Sequence, residues 1–413
     1  MNLRLRLTFI IISLLSLLHA KALEFQADST LLSKAPRISL LTARAGAEIY
    51  QLEGHSALRI QDPVRGDYVV NWGLFDFAAP NFVYRFVKGE TDYMAGATDT
   101  RRFLELYRRE GREVVEQKLN LSPEEALEVR NLTDINLQPE NRSYRYNYVL
   151  DNCATRPLAI IEKAIGDTLR LSGSGLPSEA GKSFRDAMRH YHRNYPWYQF
   201  GIDLALGSGI DRPISKRELS FSPEALESML SRATRPSGMA IVSDSHTIVE
   251  SDAPSAILAP TPALLTPMFW SIVVFIIAIL CSIGQLRHGS LTLSCRIFDT
   301  TFFSFSGICG LILTFLIFVS VHEATSPNWL YLWLNPCCFA GAVLVWSKRW
   351  EKLLISYQFV NFALLIALSV AFICHAQSPN PAFIPLIAAD GVRALSCIIA
   401  NRKSGCHHAK AVK

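Results

Sequence analysis

The chain has 413 residues, of which 50% are hydrophobic and 19% are charged, and its formal net charge is +5 at pH 7. This length allows two or three domains. No block of basic residues with interleaved aromatics is evident, which argues against nucleic acid as a partner. The apolar residues are concentrated in the last third, so the composition indicates a globular part followed by a membrane part.

The first 22 residues have the pattern of a secretory signal peptide. Arg4 and Arg6 precede an apolar run at 7–18, and residues 20–22 (A-K-A) fit the small–x–small cleavage rule. A first membrane anchor is the alternative, but a run of this length is short for a span. Either interpretation exports the domain that follows, which we expect at residues 23–231.

The exported part has the mixed patterns of an α+β domain. Alternating apolar residues predict strands at 37–43, 48–60, 68–77 and 112–121, the first three forming an antiparallel meander. Helices are predicted at 81–88, 99–110, 122–137, 152–166 and 182–192 and from residue 222. Residues 144–150 are expected to be extended, and 196–206 are strand-like. Residues 232–266, rich in Ser, Thr, Ala and Pro, are predicted to be a linker.

The C-terminal part contains five apolar runs, at 268–286, 301–321, 330–346, 353–374 and 383–400. They predict an all-α transmembrane bundle of about five helices over 267–401, followed by a cytoplasmic tail at 402–413. The basic residues of the connecting loops then all lie on the inner side. The third run is short, so a re-entrant segment is the alternative. Asp390 and Arg393 lie three residues apart in the last run and are expected to pair.

Cys153 is the only cysteine in the exported part, because the other eight of the chain all lie beyond residue 280. A disulfide within that part is therefore excluded. The thiol precedes a predicted helix, whose dipole and free N–H groups favour the thiolate and can hold an oxyanion. The alternative is a small buried apolar side chain, which is what most free cysteines are.

A thiol nucleophile needs a base, and the exported part offers few histidines. His246 lies in the predicted linker, and His190 and His192 lie in an Arg-rich stretch that suggests a solvated surface. His55, in the strand region, is therefore the candidate base. Asn71 on the next strand is the candidate group that orients it, ahead of Asp67 and Asp76; the alternative for Asn71 is a structural role at a strand end or bulge.

Several segments resemble the Lnb-type family, which is named for a lipoprotein N-acyltransferase. They are G-H-S-A-L-R-I (54–60), N-W-G-L-F-D-F (71–77), P-E-N-R-S-Y-R-Y-N-Y (139–148), D-N-C-A-T-R-P (151–157), F-G-I-D-L-A-L-G (200–207) and N-W-L-Y-L-W-L-N-P (328–336). The resemblance implies a papain-like, circularly permuted fold with a catalytic dyad at His55 and Cys153. It also implies a periplasmic domain on a multi-pass protein of the bacterial inner membrane.

The activity implied by the resemblance is acyl transfer on lipoproteins. The sn-2 acyl chain of a diacylated lipoprotein would pass through a thioester on Cys153 to the N-terminal cysteine amine, so the expected partners are diacylated lipoproteins or membrane lipid. No cofactor and no metal are expected. Two alternatives remain: a papain-like thiol hydrolase of a peptide, amide or lipid ester, and a non-enzymatic membrane-anchored binding protein.

Further candidates for substrate contact lie in both parts of the chain. Tyr146, Asn152 and Arg156 flank the candidate nucleophile in sequence. His322 and Asn335 are expected at the outer membrane face, where they would shape lipid access. The alternative for this outer pair is an ordinary polar loop beside an aromatic belt.

Overall fold

The computed structural model describes residues 35–173, 175–251 and 259–411; the predicted signal peptide at 1–22 lies outside these ranges. The described residues form two compact units. The sheet unit comprises residues 35–75, 92–173 and 175, and 215–251, and the membrane unit comprises 76–91, 176–214 and 259–411. The predicted exported domain at 23–231 therefore contributes to both units.

Seven strands in the described part of the chain form one antiparallel sheet. In chain order they are β1 (Arg37–Ala43), β2 (His55–Asp62), β3 (Gly66–Leu74), β4 (Asp92–Asp99), β5 (Val114–Leu119), β6 (Ser143–Arg145) and β7 (Val242–Val249). Across the sheet the order is β6-β4-β3-β2-β1-β5-β7. The predicted meander of the first three strands is confirmed, but the second strand begins at His55 and not at residue 48, because Ile49–Gln51 form a 3-10 turn before Gly54.

The helices are numbered through both units. They are α1 (Phe82–Lys88), α2 (Thr100–Arg109), α3 (Pro123–Leu137), α4 (Thr155–Ile165), α5 (Phe184–Tyr191), α6 (Pro196–Ala205), α7 (Lys216–Leu219), α8 (Pro223–Leu230), α9 (Pro267–His288), α10 (Leu293–Phe318), α11 (Cys338–Leu344), α12 (Glu351–Ile373) and α13 (Phe383–Ala411). The α+β class of the N-terminal region and the helical nature of the C-terminal region are confirmed.

The sheet separates two apolar cores. On one face, Leu58 and Trp72 pack with α3, α4 and α8. On the other, Val69 packs with Phe103 and Tyr107 of α2. Alternation of side chains along β2 and β3 produces this division, since successive residues of a strand point to opposite faces. Helix α4, whose N-terminal end follows Cys153, is therefore held against the sheet by its apolar side.

Helix α3 begins as the sequence predicts. Ser122 Oγ accepts the N–H of Glu125 at 3.2 Å, and the Glu125 carboxylate accepts the N–H of Ser122 at 2.8 Å. Pro123 occupies the first helical position, where a backbone N–H has no helical partner to lose. This reciprocal capping box fixes the start of the helix that covers the apolar face of the sheet.

The linker predicted at 232–266 is wrong for residues 242–249, which form the edge strand β7. The strand pairs with β5, and His246 lies opposite Glu116. Its sequence, V-S-D-S-H-T-I-V, is mostly polar because the strand is largely exposed at the edge of the sheet. The apolar alternation that identifies a half-buried strand is therefore absent.

Residues 196–206 are also different from the prediction, because they form α6 rather than a strand. Pro196 stands at the first helical position, which favours a helix start. The aromatic residues that give the segment its strand-like composition pack within the membrane unit: the Phe200 ring lies 4.9 Å from that of Phe383. Tertiary packing thus outweighs local β propensity here.

Within the described residues, four helices are long and apolar enough to span a membrane: α9, α10, α12 and α13. The expectation of five such helices is therefore not confirmed. The third apolar run instead consists of a 3-10 turn at Trp329–Leu332 and the short helix α11. The interruption lies at residues 333–337, around Asn335 and Pro336.

The broken third run nevertheless extends along α10. Near one end, the Tyr331 hydroxyl lies 3.1 Å from Thr314 Oγ1, and near the other Arg296 Nη1 donates to the carbonyl of Val345 at 2.6 Å. The stretch of α10 from Arg296 to Thr314 measures roughly 27 Å at 1.5 Å per residue, close to the thickness of a bilayer core of about 30 Å. The run thus lies alongside this spanning helix and does not fold back.

Arg393 does not pair with Asp390 as the sequence suggests. Its guanidinium forms a bidentate ion pair with Asp299 of α10, with both N···O distances at 2.7 Å. Asp390 instead accepts a hydrogen bond from Asn361 of α12 at 2.7 Å. Asp390 and Arg393, three residues apart, share a side of α13, but each side chain points to a different neighbouring helix. There each finds a polar partner, which a buried ionisable group requires.

Candidate active site

Cys153 lies two residues before the first helical residue of α4. It is buried, with 9% of its surface exposed, and it is a free cysteine. The turn that carries it is held by Asn147 and Asp151, whose backbones exchange two hydrogen bonds at 2.9 and 3.2 Å. Of the backbone N–H groups at this point, that of Cys153 itself acts on the thiol, in the direction that lowers its pKa.

Asn152 fixes the backbone on both sides of Cys153. Its Oδ1 accepts the N–H groups of Ala154 and Thr155 at 2.8 and 3.0 Å. Its Nδ2 donates to the carbonyls of Tyr148 and Phe221, both at 2.8 Å. These four bonds use the hydrogen-bonding capacity of the amide, so Asn152 fixes the backbone before α4 and positions the thiol; its contact with substrate stays a prediction.

His55 and Asn71 form a hydrogen-bonded pair on adjacent strands. Ala57 is the register partner of Asn71, and His55 lies two residues from Ala57 on the same face. The His55 Nε2 to Asn71 Oδ1 distance is 3.1 Å. An amide oxygen only accepts, so Nε2 carries the hydrogen and Nδ1 presents a lone pair. The predicted pairing of these two residues is thus present.

Cys153 packs against the two strands that carry this pair. The backbone of Ser56, the residue after His55, forms a hydrogen bond that stabilises the Cys153 thiolate and so acts to lower its pKa. A Cβ on Gly73, two residues after Asn71, would lie 3.9 Å from Cys153 Cβ and 3.2 Å from the Tyr146 ring. The fold therefore places Cys153 beside Ser56 and Gly73, which are close in sequence to His55 and Asn71 of the same two strands.

Tyr146, a candidate for substrate contact, is part of the wall beside the thiol. Its ring stacks on that of Tyr93 with centroids 4.3 Å apart. Its side chain also interacts with Cys153 in the direction that lowers the pKa of the thiol. Close approach of this ring requires a glycine at position 73, where φ is +85° and a side chain would be strained as well as crowded.

Burial shifts the pKa values of the thiol and the imidazole in opposite directions. It raises the pKa of Cys153 to about 11, an effect that the backbone of Ser56 opposes and the charge of Glu53 increases. It lowers the pKa of His55 to about 4, opposed by the hydrogen bond to Asn71 and assisted by Arg112. At neutral pH both groups are therefore uncharged. The expected thiolate-favouring effect of the helix start is outweighed by desolvation.

Residues 25–185 match the family model described as the Lnb N-terminal periplasmic domain, and residues 259–404 match that of the Lnb transmembrane domain. The two matches follow one another along the chain in that order. The chain belongs to the Lnb-type family. No curated protein and no solved structure matches it.

The Lnb-type periplasmic match ends at residue 185, but the sheet unit of this protein also uses residues 215–251. These later residues supply α7, α8 and the edge strand β7. They include Phe221, whose carbonyl accepts the hydrogen bond from Asn152. The site of this Lnb-family member is therefore supported by a segment beyond the matched domain.

Glu53 is an acidic residue beside the site that the sequence analysis did not select. Burial raises its pKa to about 7, with the Tyr148 hydrogen bond opposing the shift and Glu224 adding to it. Its charge raises the pKa of Cys153. The available signal was the order Glu–Gly–His at 53–55. Gly54 has φ +81°, and a Cβ there would meet the carbonyl oxygen of Ala43 at 2.5 Å, so a tight turn separates the acid from His55.

Arg156 is held by groups of its own segment. Its guanidinium forms two hydrogen bonds with Asp151, at 2.6 and 2.7 Å, and lies 3.3 Å from the centroid of the Tyr144 ring. A bidentate carboxylate and a stacked ring are strong partners for a guanidinium. The structure therefore gives Arg156 a role in fixing the turn before α4, and its contact with substrate stays a prediction.

His322 and Asn335, the remaining predicted candidates, belong to the membrane unit and have partners there. His322 Nε2 lies 2.8 Å from the carbonyl oxygen of Phe86. Asn335 Nδ2 donates to the carbonyls of Tyr331 and Leu332, while its Oδ1 accepts the N–H of Cys337. Asn335 thus satisfies backbone groups that the break in the third apolar run leaves without helical partners.

His192 and His246 have partners away from Cys153. His192, expected to be solvated, is only 1% exposed, and its Nδ1 lies 2.8 Å from Gln199 Oε1. His246 lies on β7 beside Asp244 and Glu116. Among the described residues, no group of three or more His, Cys, Asp or Glu side chains is arranged to hold a metal ion.

Proposed function

We propose that this protein is a membrane-anchored Cys/His acyltransferase acting on bacterial lipoproteins. It moves an ester-linked sn-2 acyl chain to the N-terminal cysteine amine through a thioester on Cys153. The observation that carries the proposal is a buried thiol at a helix start, packed against strands that hold a hydrogen-bonded His55–Asn71 pair. This combination, with histidine before cysteine in the chain, supports a circularly permuted papain-like unit.

The resting pair is neutral, so proton transfer accompanies the first bond-forming step. His55 Nδ1 takes the proton of the Cys153 thiol as the sulfur attacks the sn-2 ester carbonyl. A carbon–sulfur bond forms, and negative charge develops on the carbonyl oxygen, where the backbone N–H of Cys153 stabilises it, since the N–H groups of Ala154 and Thr155 are held by Asn152. The carbon–oxygen ester bond then breaks, and the leaving alkoxide receives the proton from the His55 imidazolium.

The second step transfers the acyl chain to nitrogen. The α-amine of the lipoprotein's N-terminal cysteine attacks the thioester carbonyl and gives a proton to His55. The carbon–sulfur bond breaks, and Cys153 leaves as a thiolate that recovers this proton. The products are an N-acylated lyso-lipoprotein and the free enzyme, and the steps use only a thiol, an imidazole and an amide.

Burial of Cys153 supports transfer over hydrolysis, because water competes with the amine for the thioester. The four long apolar helices support a substrate that resides in the bilayer, since a hydrolase of soluble substrates needs only one anchor. The hydrogen bond from His55 Nε2 to Asn71 leaves Nδ1 as the proton acceptor, which supports proton transfer from the Cys153 thiol to His55. A thiol hydrolase and a binding protein predict different products in the experiment below.

The proposal is tested in bacterial cells blocked at lipoprotein N-acylation. Expression of this protein is expected to convert lipoprotein N-termini to N-acylated lyso forms, read by mass spectrometry. Cys153→Ala and His55→Ala are each expected to lower this conversion by roughly 10²-fold or more, the usual contribution of such groups. Cys309→Ala is the matched control, because Cys309 is also a buried cysteine with 9% exposure but lies in the membrane unit.

Unchanged lipoprotein N-termini in cells that contain folded protein would reject the acyltransferase proposal. Deacylated lipoproteins without N-acylation would identify a hydrolase. Full conversion by either dyad variant would remove that residue from the mechanism.

A further inference from the structure

Helix α1 presents an apolar surface that its own unit covers only in part. Its sequence is F-V-Y-R-F-V-K, with two basic and no acidic residues. Val83, Tyr84 and Phe86 are exposed, Val83 by 72%; we refer to these three residues as the α1 patch. Exposing large apolar side chains to water is unfavourable relative to burying them, so an apolar patch of this kind indicates a partner surface.

The α1 patch is attached to the end of a spanning helix. Ser320 Oγ donates to the carbonyl of Val87, and the N–H of Val321 donates to the carbonyl of Lys88, both at 2.9 Å. The ring of Tyr84 lies 6.0 Å from that of Phe315 in α10. The patch is therefore fixed at the level where α10 ends.

At this level the surface of α10 is itself apolar and exposed. Phe318, the last residue of α10, and Val321, three residues beyond it, are 68% and 60% exposed, as expected of lipid-facing residues at the end of a spanning helix. The α1 patch continues this surface. Trp270, at the start of α9, and Trp329, in the 3-10 turn that follows the loop after α10, are exposed and also belong to this end of the bundle; tryptophan and tyrosine favour the membrane–water boundary.

The side of the membrane follows from the family match. Helix α1 lies within residues 25–185, which match the periplasmic domain. The end of α10 that binds α1 is therefore the periplasmic end. A short segment with apolar side chains on one surface and basic residues among them has the composition of an interfacial element.

We propose that the α1 patch inserts into the periplasmic leaflet of the membrane and contacts phospholipid acyl chains near the headgroup boundary. The occupant is lipid because the patch continues the lipid-facing surface of α10. Segment 75–91, which connects β3 to β4 where a hairpin turn would suffice, is thereby an interfacial anchor. This inference does not depend on the chemistry proposed for Cys153.

The test is photo-crosslinking of the full-length protein in vesicles of phosphatidylethanolamine and phosphatidylglycerol. The photoreactive residue p-benzoyl-phenylalanine replaces Val83, and in a matched control it replaces Val64. Val64 is the same residue type, is 79% exposed and lies in the turn between β2 and β3 of the sheet unit. After irradiation, lipid adducts on each peptide are quantified by mass spectrometry.

We expect at least about tenfold more lipid adduct at position 83 than at position 64. Equal lipid adducts at the two positions, or no lipid adduct at 83, would overturn the proposal. A crosslinked dimer at 83 in place of lipid adducts would assign the patch to a second copy of the chain and would also overturn it. Replacement of Phe86 provides a second probe of the same patch if the Val83 variant does not fold, and the same outcomes decide.

Formation of a lipid adduct does not require the proposed acyl-transfer activity, so the two proposals are tested independently. A protein that crosslinks to lipid at position 83 but leaves lipoproteins unmodified would refute the acyltransferase proposal and support the interfacial anchor. N-acylated lipoproteins without a lipid adduct at position 83 would support the acyltransferase proposal and refute the interfacial anchor.

Discussion

Burial has a larger effect than hydrogen bonding on the pKa values of Cys153 and His55. Desolvation keeps both the thiol and the imidazole neutral at pH 7, since the pKa of Cys153 rises to about 11 and that of His55 falls to about 4. The proposed acyl transfer then requires a proton to move from Cys153 to His55 at the moment of attack. The groups that surround the pair consequently set its reactivity.

Asn71 acts through His55, so its replacement should have a smaller effect than loss of His55 itself. We expect Asn71→Ala to lower the transfer rate roughly 10- to 100-fold, against the 10²–10⁴-fold typical of a general base. Asn71→Asp keeps an acceptor for Nε2 and adds negative charge, which raises the pKa of His55. The acidic limb of the pH–rate profile should therefore move to higher pH in Asn71→Asp. An unchanged rate in Asn71→Ala would make this residue merely structural.

Glu53 should restrain the thiol at alkaline pH. Its negative charge raises the pKa of Cys153, so Glu53→Gln lowers that pKa and increases the thiolate fraction. The rate of alkylation of Cys153 by iodoacetamide, followed on its peptide by mass spectrometry, should rise up to about tenfold per pKa unit near pH 8.5. Near pH 6 it should not change, because Glu53, with a pKa of about 7, is then already mostly neutral.

Glu140→Gln is the control for Glu53→Gln, because it removes the same charge from an exposed turn. Equal alkylation rates in the wild-type protein and Glu53→Gln at pH 8.5 would show that the carboxylate does not influence the thiol.

The side chain of Asn152 fixes the start of helix α4. Asn152→Ala would leave buried backbone groups at Ala154 and Phe221 without partners, at about 1–3 kcal/mol each. We expect the midpoint of thermal unfolding to fall by several degrees, with slower alkylation of a displaced Cys153. Asn131→Ala is the control, since that exposed asparagine donates only to Glu128 on the same helix. A midpoint equal to that of the control would contradict the capping role.

Elements with local signals could be predicted from the sequence, and those fixed by distant partners could not. The capping box at Ser122 determines the start of α3 within four residues, and the meander of β1 to β3 follows from alternating apolar residues. Strand β7 carries no such pattern, because its side chains are largely exposed and pairing with β5 defines it. Helix α6 has aromatic residues whose partners lie in the membrane unit.

The candidate site divides in the same way. The closeness of His55 and Asn71 follows from the register of a hairpin, which sequence pattern can predict. The closeness of Cys153 to that hairpin depends on packing of α4 against the sheet, and the sequence predicts it only indirectly, from the shortage of other candidate histidines and from the family resemblance. The thiol pKa was predicted in the wrong direction, because burial is a property of the assembled core and has no local sequence signal.

Within the membrane unit, a buried ion pair between Asp299 of α10 and Arg393 of α13 joins two of the long helices. Asp299→Ala would leave Arg393 as an unpaired buried charge, which typically costs about 3–5 kcal/mol. We expect a large fall in the thermal midpoint in detergent, and substantial recovery in the double variant Asp299→Leu with Arg393→Leu. Asp390→Asn is the control, because it keeps a hydrogen-bonding partner for Asn361. If Asp390→Asn were as harmful as Asp299→Ala, the observed pairing would be contradicted.

The central claim is that the acyl chain moves from oxygen to nitrogen through Cys153, and one measurement addresses it directly. The purified full-length protein in lipid vesicles is given a synthetic diacylated lipopeptide with a deuterated sn-2 chain. Mass spectrometry then locates the label. We predict deuterated chain on the N-terminal amine of a lyso-lipopeptide, with no such product from Cys153→Ala. Label recovered only as free fatty acid, or equal N-acylation by Cys153→Ala, would contradict the account.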